Sequence, residues 1–205
     1  MFLPRRHYLA LAGVETHQFK ALQRRNQVPL LGAAISDLRK PSEEEAVAFH
    51  ARVEERGYVP ADAILLAIAE HMVTQNSFSR AAAKRITQSF WNVLPGAVRR
   101  AEAGEDIWYA VGSWDFGDEK QADEDGSRAH WTWVEVGAFD ELVDEIREEQ
   151  RRTEAEGGKV DNLALFNLSI IVRRAHQAGR ELGLSIGSFF PTISAEGCGY
   201  PPVGC

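Results

Sequence analysis

The chain holds 205 residues, 44% of them hydrophobic and 26% charged, with a formal net charge of −7. That composition excludes wholesale disorder and fibrous repeats, and the length allows one ordinary domain or a small module attached to a larger one. The acidic balance argues against a protein that coats nucleic acid non-specifically, yet the charge is unevenly spread. Residues 1–40 carry seven basic side chains against two acidic ones, while residues 41–205 hold sixteen basic and twenty-eight acidic groups. The one strongly basic segment is N-terminal.

The longest apolar core run, Ala63 to Ala69, is far short of the roughly 18 residues a membrane span needs, so no membrane partner is expected. Arg5-Arg6 precedes the apolar run Tyr8 to Val14, which only reaches the lower limit of a secretory h-region before Glu15. A cytoplasmic location is the expectation. Cys198 and Cys205 both fall in the last eight residues, and two thiols cannot staple a fold of this size. With no His nearer than His176, a tetrahedral zinc site is not expected either.

In chain order, residues 4–12 and 15–26 read as two short helices separated by Gly13-Val14, since glycine reaches positive φ without a Cβ clash. Glu15 and Thr16 suit the first turn of the second helix, and Pro29 forbids its continuation. Ser42 followed by Glu43, Glu44 and Glu45 predicts a helix that stops at Gly57. Pro60-Ala61-Asp62 opens a buried helix running to about residue 75. Ser79 begins another, ended near Val93 by Pro95-Gly96.

Residues 107–116 and 130–136 are aromatic and β-branched and read as the strands of one hairpin, with a long acidic loop between them. Ala138 to about Glu156 reads as a charged helix with an apolar stripe at Phe139, Leu142, Val143 and Ile146. Asp161 to Leu182 reads as a last helix, followed by a mobile Gly/Pro-rich tail. The expected core comprises Ile64, Leu65, Ile68, Ile86, Leu163, Phe166 and Ile170.

The second short helix carries the most informative chemistry. On a 100° wheel Phe19 and Leu22 share one side, with His17, Lys20, Arg24 and the small Ala21 opposite. A helix-turn-helix needs that arrangement, because an apolar side packs on the first helix while short and basic side chains enter the major groove. Lys and Arg neutralise phosphates, and Arg also grips guanine. An ordinary amphipathic helix with a solvated basic face has the same wheel.

The stretch from Tyr8 to Val28 resembles the opening of a MerR-type winged helix-turn-helix. Gly13-Val14 match the junction, Phe19 the buried aliphatic, Lys20 the basic phosphate contact and Arg24-Arg25-Asn26 the helix end. Tyr58 to Ala63 and Phe78-Ser79 are similar to the segments that open the family's third and fourth helices. Lys20 stands where the family has Arg, and Leu22 where it has an aromatic. Residues 28–57 lack the Arg-Tyr pair of the wing, and the long dimerising helix has no clear equivalent. The resemblance covers about 30 residues closely and about 50 more loosely, nearer to divergent regulators and excisionases of bacteria and phages than to metal sensors.

That resemblance implies a mainly α fold: a winged helix-turn-helix over 1–60, then a helical domain with one β-hairpin (107–136) over 61–185, then a tail over 186–205. It implies sequence-specific binding of double-stranded DNA by Thr16, His17, Lys20, Arg24 and Arg25, in a transcriptional regulator. Because one short helix makes few contacts, a homodimer is also expected, with the stripe Phe139 to Ile146 a candidate seam that packing within the subunit explains equally well. A phage-type excisionase or architectural DNA binder is a close variant, and a protein–protein interaction module without DNA binding is the reading from another class.

Other motifs fare worse. Asp123 to Gly126 is part of a calcium-loop pattern, but it places Gln121 at the first ligand position and Thr132 where a bidentate Glu belongs. Trp108 and Trp114 share one strand face, as do Trp131 and Trp133, which suits packing on helices better than a ligand pocket. Neither a phosphate loop, a nucleophile elbow nor a His-Glu-x-x-His pair occurs. No enzyme, cofactor or metal is expected, and no effector is specified.

Overall fold

The computed structural model describes residues 1–30, 43–89, 93–115 and 131–190. Helix α1 spans Arg5–Ala12 and ends at Gly13, whose φ of 68° lets the Val14 N–H reach back to the Leu9 carbonyl at 3.0 Å. After a three-residue turn, α2 spans Thr16–Arg24, with the Glu15 N–H donating to Gln18 Oε1. Helix α3, Glu43–Arg56, stops at Gly57. Leu3 and Tyr58 then exchange two backbone hydrogen bonds of 2.7 and 2.9 Å, tying the N-terminus to the end of α3.

Helix α4, Pro60–Asn76, opens with proline where a missing N–H costs nothing, and Asp62 Oδ2 accepts from the Val59 N–H at 3.0 Å. It is the central helix: Ile64, Leu65, Leu66, Ile68 and Met72 are fully buried. Helix α5 spans Arg80–Ser89 and α6 spans Leu94–Glu102. Pro95-Gly96 therefore lies in the first turn of α6 rather than ending the helix before it. Proline is tolerated there, so a residue that stops one helix serves equally to start another.

Strand β1, Ile107–Asp115, pairs antiparallel with β2, Trp131–Ala138, as the aromatic pattern predicts. Helix α7 is Phe139–Ala155. The sequence reading then fails: residues 159–167 form a third strand, β3, and the last helix α8 begins only at Leu168 and runs to Glu181. β3 pairs antiparallel with β1, giving the order β2-β1-β3. The strand-to-helix switch is local chemistry. Asn167 accepts from the Ile170 N–H at 3.0 Å as a helix cap and donates to Asp106 at 2.7 Å. The architecture is thus mainly helical with a small antiparallel sheet.

Both sheet faces are covered. Ile107, Tyr109, Val111, Val134 and Phe166 face the helical core, while Ala110, Trp133 and Leu165 face α7 through Leu142 and Ile146. The Trp133 indole lies directly over Gly112, where a Cβ would sit 2.1 Å from the ring. This is why the central strand carries a glycine at that position. Leu163 and Ile170, expected in the core, are each 40% exposed. Strand pairing of residues 159–167 turns Leu163 to the face opposite Phe166, and Ile170 falls on the outer side of α8.

Among the described residues one apolar cluster runs from Leu3 and Tyr8 through α4 and α8 to Phe189 and Phe190. Position 60 coincides with the start of α4 but not with a break in this packing. Residues 186–190, expected to belong to a tail, are anchored instead: Phe189 and Phe190 are buried and Glu102 binds the Ser188 hydroxyl and the Phe189 N–H. Residues 191–205, with both cysteines, and the acidic segment 117–129 lie outside the described residues. No helix of the described residues is long and apolar enough to cross a membrane.

Candidate nucleic-acid interface

The inner side of α2 is held by aromatic packing. Phe19, fully buried, meets Tyr8 of α1 edge-on at 5.5 Å and Tyr58 at 6.0 Å, while Tyr8 and Tyr58 stack at 4.0 Å. Edge-to-face and stacked pairs add roughly 0.5–1.5 kcal/mol each beyond the area they bury. Leu22, one turn on, is buried beside them.

A polar clasp fixes the helix laterally. Glu54 Oε1 on α3 accepts from Gln23 Nε2 of α2 at 2.8 Å, from Arg5 of α1 at 2.8 Å and from the Tyr58 hydroxyl at 3.5 Å. Burial acts to raise the Glu54 carboxyl, but the bonds from Gln23 and Arg5 outweigh it and hold the group below its ordinary value. The C-terminal end of α2 is held by another helix: Lys84 of α5 donates to the Asn26 carbonyl at 2.7 Å and to its side-chain oxygen at 3.1 Å. A cation at a helix C-terminus complements the macrodipole. Burial lowers the Lys84 amine to about 8. Its neighbour His50 is pushed down to about 4, by burial first and by the Lys84 charge second, and neither ring nitrogen has a hydrogen-bond partner among the described residues.

The outer side of α2 is bare. Thr16, His17, Lys20, Ala21, Arg24 and Arg25 are all exposed. The side chains of His17, Lys20, Arg24 and Arg25 make no hydrogen bond or ion pair with any described residue. α2 itself contains no acidic residue. All five residues expected to contact DNA are therefore brought onto one short, rigidly backed surface. Arg5, by contrast, is spent on Glu54. What the sequence reading missed is the support, namely Gln23, Glu54 and Lys84. Lys84 is 58 positions from Asn26 in the chain, so no local pattern marks the contact.

The segment in which a wing was expected splits in two. Residues 31–42 lie outside the described residues, and residues 43–56 form α3. The stripe at Phe139, Leu142, Val143 and Ile146 is used only in part internally, and Phe139 stays 46% exposed. Leu142 and Ile146 pack under the sheet, and the Phe139 ring meets Trp108 at 5.0 Å. Among the described residues no group of three His, Cys, Asp or Glu side chains is placed to hold a metal ion.

Comparison with protein-family models, with curated proteins and with solved structures finds no match to this chain.

Proposed function

We propose that this protein is a sequence-specific binder of double-stranded DNA, acting as a transcriptional regulator with α2 as the recognition helix of a winged helix-turn-helix. One observation carries the reading. α2 buries Phe19 and Leu22 completely while leaving His17, Lys20, Arg24 and Arg25 exposed and unpaired among the described residues. A short helix with small and basic side chains outward, backed by packed aromatics, suits the width of the major groove. Lys20 and Arg24 supply phosphate or guanine contacts, Thr16 and His17 reach from the first turn, and Arg25 steadies the helix end against the backbone. A cytoplasmic location follows, since bacterial DNA lies there.

Few contacts are available to one short helix, so the reading includes a homodimer on symmetric half-sites. Leu142 and Ile146 of the α7 stripe are packed under the sheet, which leaves the half-exposed Phe139 as the part of that candidate seam open to a second copy.

The test is selection of bound sequences from a random DNA pool, followed by affinity measurements with Lys20→Glu and Arg24→Glu. Each change is expected to weaken binding by about 1–3 kcal/mol, tenfold to a hundredfold, with an unchanged melting temperature. Binding by the parent protein should fall steeply with salt, as released counterions demand. Unchanged retention in both variants would leave α2 a solvated face.

A further inference from the structure

We infer that the cleft between α6 and α8 binds a small phosphate-bearing anion. The cleft is a cavity of about 620 Å³, within the range of small-molecule sites, and is distinct from the α2 surface. Its walls carry Arg173, Arg174, His176 and Arg180 from α8 and Glu102 from α6. Residues 173, 176 and 180 are three and four positions apart, so they line one stripe of α8 along the opening.

The charges there are not balanced internally. Glu102, the acid of the cleft, already accepts from the Ser188 hydroxyl at 2.6 Å and the Phe189 N–H at 2.9 Å, and lies 3.2 Å from His176 Nε2. Its oxygens are thus committed to anchoring residues 188–190, and none of those bonds involves an arginine. Asp106, whose charge is felt by Arg173, has its oxygens occupied by Asn167 and the Trp108 indole N–H. The side chains of Arg173, Arg174 and Arg180 make no hydrogen bond or ion pair with any described residue. Glu181, next to Arg180, accepts instead from Gln177.

Three guanidinium groups at one cavity repel each other and are relieved by an anion that offers several oxygens at once. Phosphate fits, because each guanidinium fork presents two parallel donors to two of its oxygens. A concave site of this volume suits a small molecule rather than the convex backbone of a duplex. The inference does not depend on DNA binding by α2.

The experiment is calorimetric titration of the full-length protein with inorganic pyrophosphate at physiological salt, with citrate as the carboxylate comparator. Saturable one-to-one uptake is expected, weakened at least tenfold by Arg173→Gln and by Arg180→Gln and unchanged by Arg151→Gln on α7. All three side chains are exposed, so circular dichroism should match the parent. Absence of saturable uptake overturns the inference. So does equal weakening by Arg151→Gln, which would mean diffuse charge attraction. Citrate binding as tightly as pyrophosphate would assign the cleft to carboxylates and overturn the phosphate claim. Loss of DNA retention in the α8 variants without pyrophosphate uptake would place a nucleic-acid backbone there instead.

Discussion

Helices α2 and α7 each bury one apolar side and expose the other, but they treat their charges in opposite ways. On α7 the exposed arginines are matched three residues back: Arg147 with Asp144, Arg151 with Glu148 and Arg152 with Glu149, at 3.0–3.3 Å. On α2 the cations have no acidic neighbour within the helix. α7 pairs each of its arginines within the helix, keeps a surplus of acids on its outer side, and serves as a cover for the sheet. α2 spends its acidic support, Glu54, on Arg5 and Gln23 at its inner edge and leaves its outer cations for something else. A basic surface helix is informative about an anionic partner only when its cations are left unmatched.

The largest effect is expected from removing the N-terminal helices altogether. Deleting residues 1–30 strips Tyr8, Leu9, Leu11, Phe19 and Leu22 from the cluster they share with α4 and α8, and a chain without them should lose its cooperative thermal transition. A sharp melt by the remaining chain would instead establish residues 61–185 as an independent domain.

Next comes the anchoring of α2. Phe19→Ala removes a fully buried ring from between Tyr8 and Tyr58 and should cost about 3–5 kcal/mol, read from denaturant unfolding. DNA affinity, measured well below the new melting temperature, should fall far less than in Lys20→Glu. That contrast separates the helix's inner face from its outer one.

Acid sensitivity is the third difference. His50 is buried on α3 near Lys84, and its lowered value means that the folded state holds it neutral. The unfolded chain binds the extra proton between about pH 6.5 and 4, so stability is intact above that window and falls as pH drops through it. The loss is on the order of 3 kcal/mol once pH reaches 4, with no further contribution below. His50→Leu should flatten the stability–pH curve across that window, and a slope that survives the substitution would assign it to other groups. Glu54, held low, adds its own loss only as pH falls below the ordinary carboxylate range.

The smallest effect belongs to α7. Arg151→Ala breaks a pair whose two side chains are 72% and 51% exposed, and stability should change by no more than about 0.5 kcal/mol. DNA affinity should not change. A marked loss of affinity would move the interface toward α7 and erase the contrast between the two helices.

Much of the helical framework was legible because its signals are local. Gly13 ends α1 through positive φ, Gly57 ends α3 in the same way, and Pro60 opens α4 with Asp62 capping it. The apolar pair Phe19 and Leu22 foretold which side of α2 is buried, and the exposed set Thr16, His17, Lys20, Arg24 and Arg25 followed as its complement. The strands at 107–115 and 131–138 announced themselves by β-branched and aromatic density.

β3 did not. Leu163, Phe166 and Ile170 fall at helical spacing, yet residues 159–167 extend because β1 offers an open edge on the side away from β2. Only that pairing turns Phe166 toward the helical core and Leu163 away from it. Pro95 was ambiguous for a related reason, since the same ring that blocks a helix interior fits a first turn. Glu54, Gln23 and Lys84 were invisible because their meaning lies in partners 31 to 58 positions away. What the residue order determines by itself is where each chain segment may start, stop and turn its apolar side, because these depend on backbone torsion and nearest neighbours. Which strand edge is filled, which acid is spent on which cation, and which cations remain unmatched are decided only when distant segments meet.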